Sequence, residues 1–269
     1  MTLGPLGRLG RWTATHFRVV AIAWAVVAVA LGFFAPKAER ALSGAGWEAS
    51  GSESVEARKL IDEHFAGLGS YGLMVVVRSE KRTIDDPDFR AAVAKVERTL
   101  RASDAVTTVV RPQPGVSLSR DGRTAVVQAG AAKDSNDMVH AADDLKADLQ
   151  AIGGKGIDVH LTGAAGMWSD FNEANKKAMM KSELLSWPVT LGILILAFGS
   201  LVAAGLPLML TILGLAAAAG SLYLGTRIMD ISIWAMNFAL MFALALGIDY
   251  ALFIVYRFRG AYFGSKLDP

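Results

Sequence analysis

The sequence predicts an α-helical membrane protein with an α+β domain inserted between its first and second membrane spans. Three observations predict this class. Of the 269 residues, 53% are apolar and only 19% are charged, which is unusual for a soluble domain. The apolar residues concentrate in two blocks, and a long polar segment separates the blocks.

The first apolar block predicts a membrane span over residues 19–35, preceded by a cytoplasmic segment of residues 1–18. Such a block rises about 25 Å as a helix, which is enough to cross if Arg18 extends to the interface. A secretory signal peptide begins with similar cations. Here Pro36 follows the block and no small-x-small cleavage site precedes it, so we favour an uncleaved anchor.

The second apolar block predicts spans two to four over residues 184–259, with a tail at residues 260–269. Its first stretch lacks charge over a length suited to two spans, which Gly199-Ser200 divides by a turn. We expect Pro188 and Pro207 in the first turns of their helices, where a missing N–H costs least.

The polar segment, residues 36–183, predicts an extracytoplasmic domain. Helical and strand-like patterns alternate along it after an opening helix at Ser52–Phe65. The expected elements are a strand at Leu73–Val77, a helix at Asp88–Arg101, a strand at Ala105–Val110, a hairpin of Val116–Ser119 and Thr124–Ala129 turned at Asp121-Gly122, a helix at Asp137–Ile152 and a strand at Ile157–Leu161. We interpret this order as β-α-β-β-α-β, the ferredoxin-like unit, which alone states no function.

Several function classes are disfavoured by composition and motifs. The net charge of +2 gives no reason to expect a nucleic acid partner, and the absence of cysteine excludes thiolate metal sites and a cysteine nucleophile. The histidines of the polar segment lie in three different predicted elements, and no phosphate-binding glycine loop is evident. We therefore expect neither enzyme activity, nor a cofactor, nor a metal site.

One acid interrupts the last span. Asp249 is the only charged residue between Ile231 and Tyr256, where an ionised carboxylate costs about 2.5–3.5 kcal/mol by insertion scales. No cation lies inside any predicted span, so Asp249 is either protonated at rest or paired with another chain. A polar helix-packing contact is the alternative interpretation. The side chains of Asp249 and Tyr250 point about 100° apart on the helix, so they pair poorly with each other. They are better placed to meet groups on a facing helix.

Small residues recur every fourth position in the same span, at Ala235, Ala239, Ala243, Gly247 and Ala251. This small-xxx-small pattern predicts a seam that another helix approaches closely. The seam lies about 200° around the helix from Asp249, so we expect the two features to face different neighbours. An alanine-rich helix without a packing role is the alternative.

Three stretches resemble a known family. Gly247–Phe253 (GIDYALF), followed by YRFR at residues 256–259, is similar to the fourth-helix motif of MMPL-type transporters of the RND superfamily. Phe198–Ala204 (FGSLVAA) resembles the turn between the second and third helices of that family, and Leu161–Gly163 resembles the stretch ahead of the second helix. The similarity extends from Arg8 to Arg259.

The resemblance implies a proton-driven exporter of hydrophobic or lipidic cargo in the cytoplasmic membrane, with Asp249 and Tyr250 as the proton relay. Family members carry a second half with a matching Asp-Tyr pair, so we expect this chain to be an N-terminal portion. A second polypeptide or a homo-oligomer would then supply the missing spans. A non-transporting sensor or accessory module, and an inactive remnant, are the alternatives.

Topology is the first testable prediction. Arg8, Arg11 and Arg18 precede the first span, and Arg257, Arg259 and Lys266 follow the last one, so the positive-inside rule places both termini in the cytoplasm. A reporter that works only outside the cytoplasm should be active when it is fused within Asp121–Asp144. A reporter that works only in the cytoplasm should be active when it is fused after Gly260. Cytoplasmic activity from the internal fusion would overturn this topology.

Overall fold

The computed structural model describes residues 4–42, 44–45 and 51–264. The chain forms two compact units, a membrane unit of Met1–Ser43 with Lys181–Pro269 and an α+β unit of Gly44–Met180. The elements in chain order are α1 Pro5–Thr15, α2 Phe17–Gly32, α3 Ala35–Ala41, α4 Glu53–His64, β1 Leu73–Ser79, α5 Pro87–Arg101, β2 Val106–Val110, β3 Thr124–Ala131, α6 Ser135–Gln150, β4 Ile157–Thr162, α7 Gly163–Phe198, α8 Leu201–Gly225 and α9 Ile233–Gly264.

The α+β unit contains a four-stranded antiparallel sheet in the order β2-β3-β1-β4. Alternate residues of β1, Leu73, Val75 and Val77, are fully buried in one core with Phe89 of α5 and Met138 of α6. This period of two follows from the pleat, which sends successive side chains to opposite faces. The other face of the strand is only partly buried at Met74 and Val76, and Arg78 is exposed.

The two helices that cover this sheet begin at aspartate caps. The Asp86 side chain accepts hydrogen bonds from the N–H groups of Asp88 and Phe89, and Asp134 caps α6 in the same way. Each cap satisfies backbone donors that the first helical turn leaves unpaired. Predicted bounds and observed bounds of these helices differ by two residues or fewer at each end.

The prediction of a strand at Val116–Ser119 is wrong. Within it only Leu118 forms isolated bridges, to Pro114 and to Ala125, and the segment is otherwise a loop ahead of β3. The turn that was predicted at Asp121-Gly122 is present, with Gly122 at φ 66°. The segment is too short and too turn-bound to add a strand, because Gln113 already accepts three backbone N–H groups from residues 116–118.

Polar contacts attach the first turns of α7 to α6. Fully buried Ser169 donates a hydrogen bond to Asp143, and Lys146 lies 2.7 Å from Asp170 and 3.4 Å from Glu173. Desolvation lowers the pKa of Lys146, but the two carboxylates outweigh it and the net pKa is raised. Lys146 therefore stays protonated and holds both acids.

Four helical segments are long and apolar enough to cross a membrane: Phe17–Ala41, Gly163–Phe198, Leu201–Gly225 and Ile233–Phe258. The first contains a break at Phe33-Phe34, after which α3 begins with Pro36 in its first turn. The second is one continuous helix that starts in the α+β unit and ends at Phe198, before Gly199 at φ 64°.

The expected positions of two prolines are wrong. Pro188 lies deep inside α7 because that helix starts at Gly163 rather than near residue 184, and Pro207 lies past the first turn of α8. Both remove a backbone hydrogen bond from a helix interior. In a membrane protein such breaks are tolerated where neighbouring helices and hydroxyl side chains provide compensation.

Helices α2 and α8 approach each other at glycine. A Cβ built on Gly220 would overlap the backbone carbonyl of Leu31, and one on Gly32 would lie 3.7 Å from the Cβ of Ala216. The Phe34 and Tyr223 rings stack nearby, with centroids 5.4 Å apart. The backbone contact at Gly220 leaves no space for any side chain.

Gly220→Ala should therefore destabilise the membrane unit, although alanine is the better helix former. The gain in helix propensity is about 0.5–1 kcal/mol, whereas forced displacement in a packed contact costs about 1–3 kcal/mol. Gly214→Ala is the matched control in the same helix, since nothing lies within 4 Å of its built Cβ. Unfolding in mixed detergent would measure both.

Cross-linking checks the same approach directly, because the chain has no native cysteine. The pair Gly32→Cys with Ala216→Cys should form a disulfide, since the Cβ separation suits one. Adding Gly220→Ala to this cysteine pair should slow formation of the disulfide. Equal cross-linking and equal stability of the Gly220→Ala and Gly214→Ala proteins would contradict this packing.

Candidate functional site

The two sides of α9 differ in burial. Ala239, Ala243 and Gly247 are partly buried, and Ala251 is only 6% exposed. The four positions form one stripe along the helix because they recur every fourth residue. These four positions are those that the sequence pattern proposes as a helix-packing seam.

The stripe meets α8 at a close contact between Gly247 and Thr211. A Cβ on Gly247 would lie 2.9 Å from the Thr211 hydroxyl oxygen. Thr211 is 3% exposed, and its hydroxyl donates a hydrogen bond of 2.9 Å to the carbonyl oxygen of Pro207. The Thr211 hydroxyl therefore has its hydrogen-bond partner within α8. Because Gly247 has no side chain, α9 leaves space for this hydroxyl.

Thr211 was not singled out by the sequence reasoning. A signal was available, since threonine four residues after a proline can bond back to that proline's carbonyl within a helix. Its role is to shape the surface on which α9 rests.

Asp249 and Tyr250 lie on the exposed side of α9, and Tyr250 is 67% exposed. Within the residues that the structure describes, the Asp249 carboxylate has no hydrogen-bond or ion-pair partner. The structure does not bring the acid or the tyrosine to any other predicted site residue. The exposed side chains on the same side of α9 are apolar: Phe238, Phe242, Leu246 and Phe253.

The electrostatic setting of Asp249 is defined by what the neighbouring helices carry. Helix α8 contains no charged residue. The next cation along α9, Arg257, is two turns away, about 12 Å. A carboxylate on this face therefore faces lipid, or a further helix, without a counter-ion from its own helix or from α8.

Neither metal nor nucleophile chemistry is indicated elsewhere. Among the described residues, no group of three or more His, Cys, Asp or Glu side chains is arranged to hold a metal ion. The histidines of the α+β unit lie on separate elements, with His160 on β4, His140 on α6 and His64 at the end of α4. The exposed acid of α9 is thus the candidate site.

Comparison with known proteins assigns the family. The family model described as MMPL family matches residues 46–262, most of the chain. The chain belongs to the MMPL family. The matched region includes the α+β unit, α7, α8 and the part of α9 that carries Asp249.

Relatives of this MMPL-family chain are longer proteins. A membrane protein of Streptomyces coelicolor is 34% identical over 73% of the chain and 28% of its own length. The mycolic acid-containing lipids exporter MmpL11 of Mycolicibacterium smegmatis is 27% identical, over 92% of the chain and 26% of its own. The siderophore exporter MmpL5 of Mycobacterium tuberculosis is 28% identical over 53% and 15%. The chain thus spans about a quarter, or less, of these relatives.

The seam generates a prediction at Gly247. Gly247→Ala should weaken the packing of α9 on α8, because the added methyl group forces Thr211 to move. We expect a loss of about 1–2 kcal/mol in unfolding free energy. Gly260→Ala is the control on the same helix, since its built Cβ meets nothing within 4 Å.

A double variant sharpens this test. Thr211→Ala removes the hydroxyl oxygen that crowds the new methyl group, so Gly247→Ala should cost less in that background. A double-mutant cycle in mixed detergent measures the coupling. Additive effects of the two substitutions would show that the contact does not hold the two helices together.

Proposed function

We propose that this chain is the N-terminal portion of a proton-driven RND/MMPL exporter that moves lipidic or hydrophobic cargo across the cytoplasmic membrane. Membership of the MMPL family and the four apolar helices support a membrane transporter of this type. Asp249 carries the proton in this proposal, and Tyr250 assists it.

The observation that carries the proposal is the position of Asp249. It is an acid without a described partner, on an exposed apolar face, while the opposite face of the same helix packs on α8. Ionisable residues at membrane depth are rare and usually functional. A merely structural acid would instead be expected on the packed face, with a hydrogen-bond partner.

In this proposal, a further helix has to cover the exposed face of α9. A carboxylate facing hydrocarbon costs several kcal/mol unless it is protonated or paired. A helix from a second polypeptide, or from another copy of this chain, would cover Asp249, Tyr250 and the phenylalanines around them. The RND resemblance favours a facing helix that carries its own acid and tyrosine.

We propose the cargo from what the relatives are named to transport and from the lipid environment that the apolar helices imply. One relative is named as an exporter of mycolic acid-containing lipids and another as a siderophore exporter, and MmpL11 of Mycobacterium tuberculosis is named as a heme uptake protein. Lipidic or hydrophobic cargo fits the lipid exporter, which aligns with 92% of the chain.

Topology and domain limits belong to the same proposal. Both termini are cytoplasmic, residues 36–183 form an extracytoplasmic porter-like domain, and residues 184–259 hold spans two to four. The element order β1-α5-β2-β3-α6-β4 and the antiparallel order β2-β3-β1-β4 support a ferredoxin-like unit in that domain. A sensor or accessory module does not require a lone intramembrane acid, so Asp249 separates that alternative from transport. An inactive remnant would retain the acid and is tested by activity.

Asp249→Asn should abolish proton-driven export while insertion and expression stay normal, because asparagine keeps the shape and the hydrogen bonds but cannot titrate. Tyr250→Phe should be milder, since it removes a hydroxyl but no proton acceptor. The assay uses membranes in which the partner half is co-expressed. It follows cargo release against an imposed proton gradient.

Asp230→Asn is the matched control. It removes the same charge from the exposed loop between α8 and α9 and should leave export unchanged. Export at the wild-type rate by the Asp249→Asn protein would rule out the relay and favour a packing contact. No export from any protein, including wild type with its partner, would favour the remnant.

A further inference from the structure

A groove of about 350 Å³ opens between α7, α8 and α9 within the membrane unit. Its apolar floor consists of Leu208, Met241, Ala245 and Ile248. The α7 wall carries Glu183, Trp187 and three hydroxyl side chains, Ser182, Ser186 and Thr190, although most of the lining surface is apolar. Ligand pockets of this volume are at the small end of the usual range, which suits one head group with the beginning of an alkyl chain.

Glu183 is the distinctive group of this groove. It is partly buried and lies on the same face of α7 as Trp187, Leu194 and Phe198, which pack toward α8 and α9. Within the described part of the chain, the Glu183 carboxylate has no hydrogen-bond or ion-pair partner. A carboxylate that lines an apolar groove and has no described counter-ion offers a charge that a cationic ligand would neutralise.

The side chains that line the groove favour a positively charged ligand. Among the residues that the structure describes, no lysine or arginine lines the groove, so no described cation there would hold a phosphate or sulfate head group. Trp187 follows Glu183 by one helical turn, and an indole beside a carboxylate suits a cation, which its ring face attracts. The hydroxyl oxygens of the same wall can accept hydrogen bonds from an ammonium group.

We propose that this groove binds a single-chain cationic amphiphile. The ammonium head lies on Glu183 and beside Trp187, and the alkyl chain runs along Leu208, Met241 and Ala245. The site is separate from the proton site, because Asp249 does not line the groove and points about 100° away from its neighbour Ile248, which does. Binding does not require transport, so this proposal stands or falls independently of the exporter function.

Photolabelling of the full chain in phosphatidylcholine nanodiscs tests the site. A diazirine-bearing alkylammonium probe should label residues 241–248, and dodecylamine should compete, whereas dodecyl maltoside and dodecyl sulfate of the same chain length should compete poorly. Glu183→Gln should weaken the probe by about tenfold, the effect of one charge-assisted contact. Asp230→Asn removes the same charge outside the groove and should have no effect.

A second variant tests the floor. Ala245→Phe should fill the groove and remove labelling at unchanged helix content, measured by circular dichroism. Three results would overturn the proposal: labelling by Glu183→Gln at wild-type affinity, equal competition by the sugar-headed amphiphile, or labelling spread over all lipid-exposed helices, which would show partition into the bilayer only.

Discussion

Helix α8 determines the packing of the membrane unit, because two of its neighbours approach it where a glycine removes the side chain. Gly220 lets α8 meet the backbone of α2 at Leu31, and Gly247 lets α9 meet Thr211 of α8. Apolar helices gain no hydrophobic energy from association in lipid, so close van der Waals contact must hold them together. Contacts at backbone distance provide the largest such gain for each residue.

The same contact fixes the rotation of α9. Once Gly247 faces Thr211, Asp249 must point about 200° away from that contact. Asp249 lies two positions after Gly247, and each position turns the helix by about 100°. The acid therefore cannot be satisfied by α8, whatever its protonation state. Its exposure is a consequence of the packing on the other side, and a facing helix with polar groups would use it without disturbing the seam.

Local patterns predicted the α+β unit well, because its helices and strands alternate apolar and polar faces over one core. The apolar face of the predicted helix that became α5, which carries Phe89, Val93, Val96 and Leu100, is buried at every one of these positions. In the membrane unit, all sides of a helix are apolar, so periodicity loses its information. The positions of Pro188 and Pro207 were therefore wrong, and the contact at Thr211 and the groove beside Glu183 were not foreseen, because they depend on which helices meet.

Glu183 of α7 and Asp249 of α9 differ in setting. Glu183 lies at the start of the apolar part of α7 and lines the groove together with hydroxyl groups and an indole. Asp249 lies within the apolar stretch of α9, on the side where phenylalanines and leucines are exposed. The two proposals therefore use different carboxylates: Glu183 would hold the cationic head group of a ligand, and Asp249 would carry the proton. Because the two acids lie on different helices, either one can be substituted without changing the side chains of the other site.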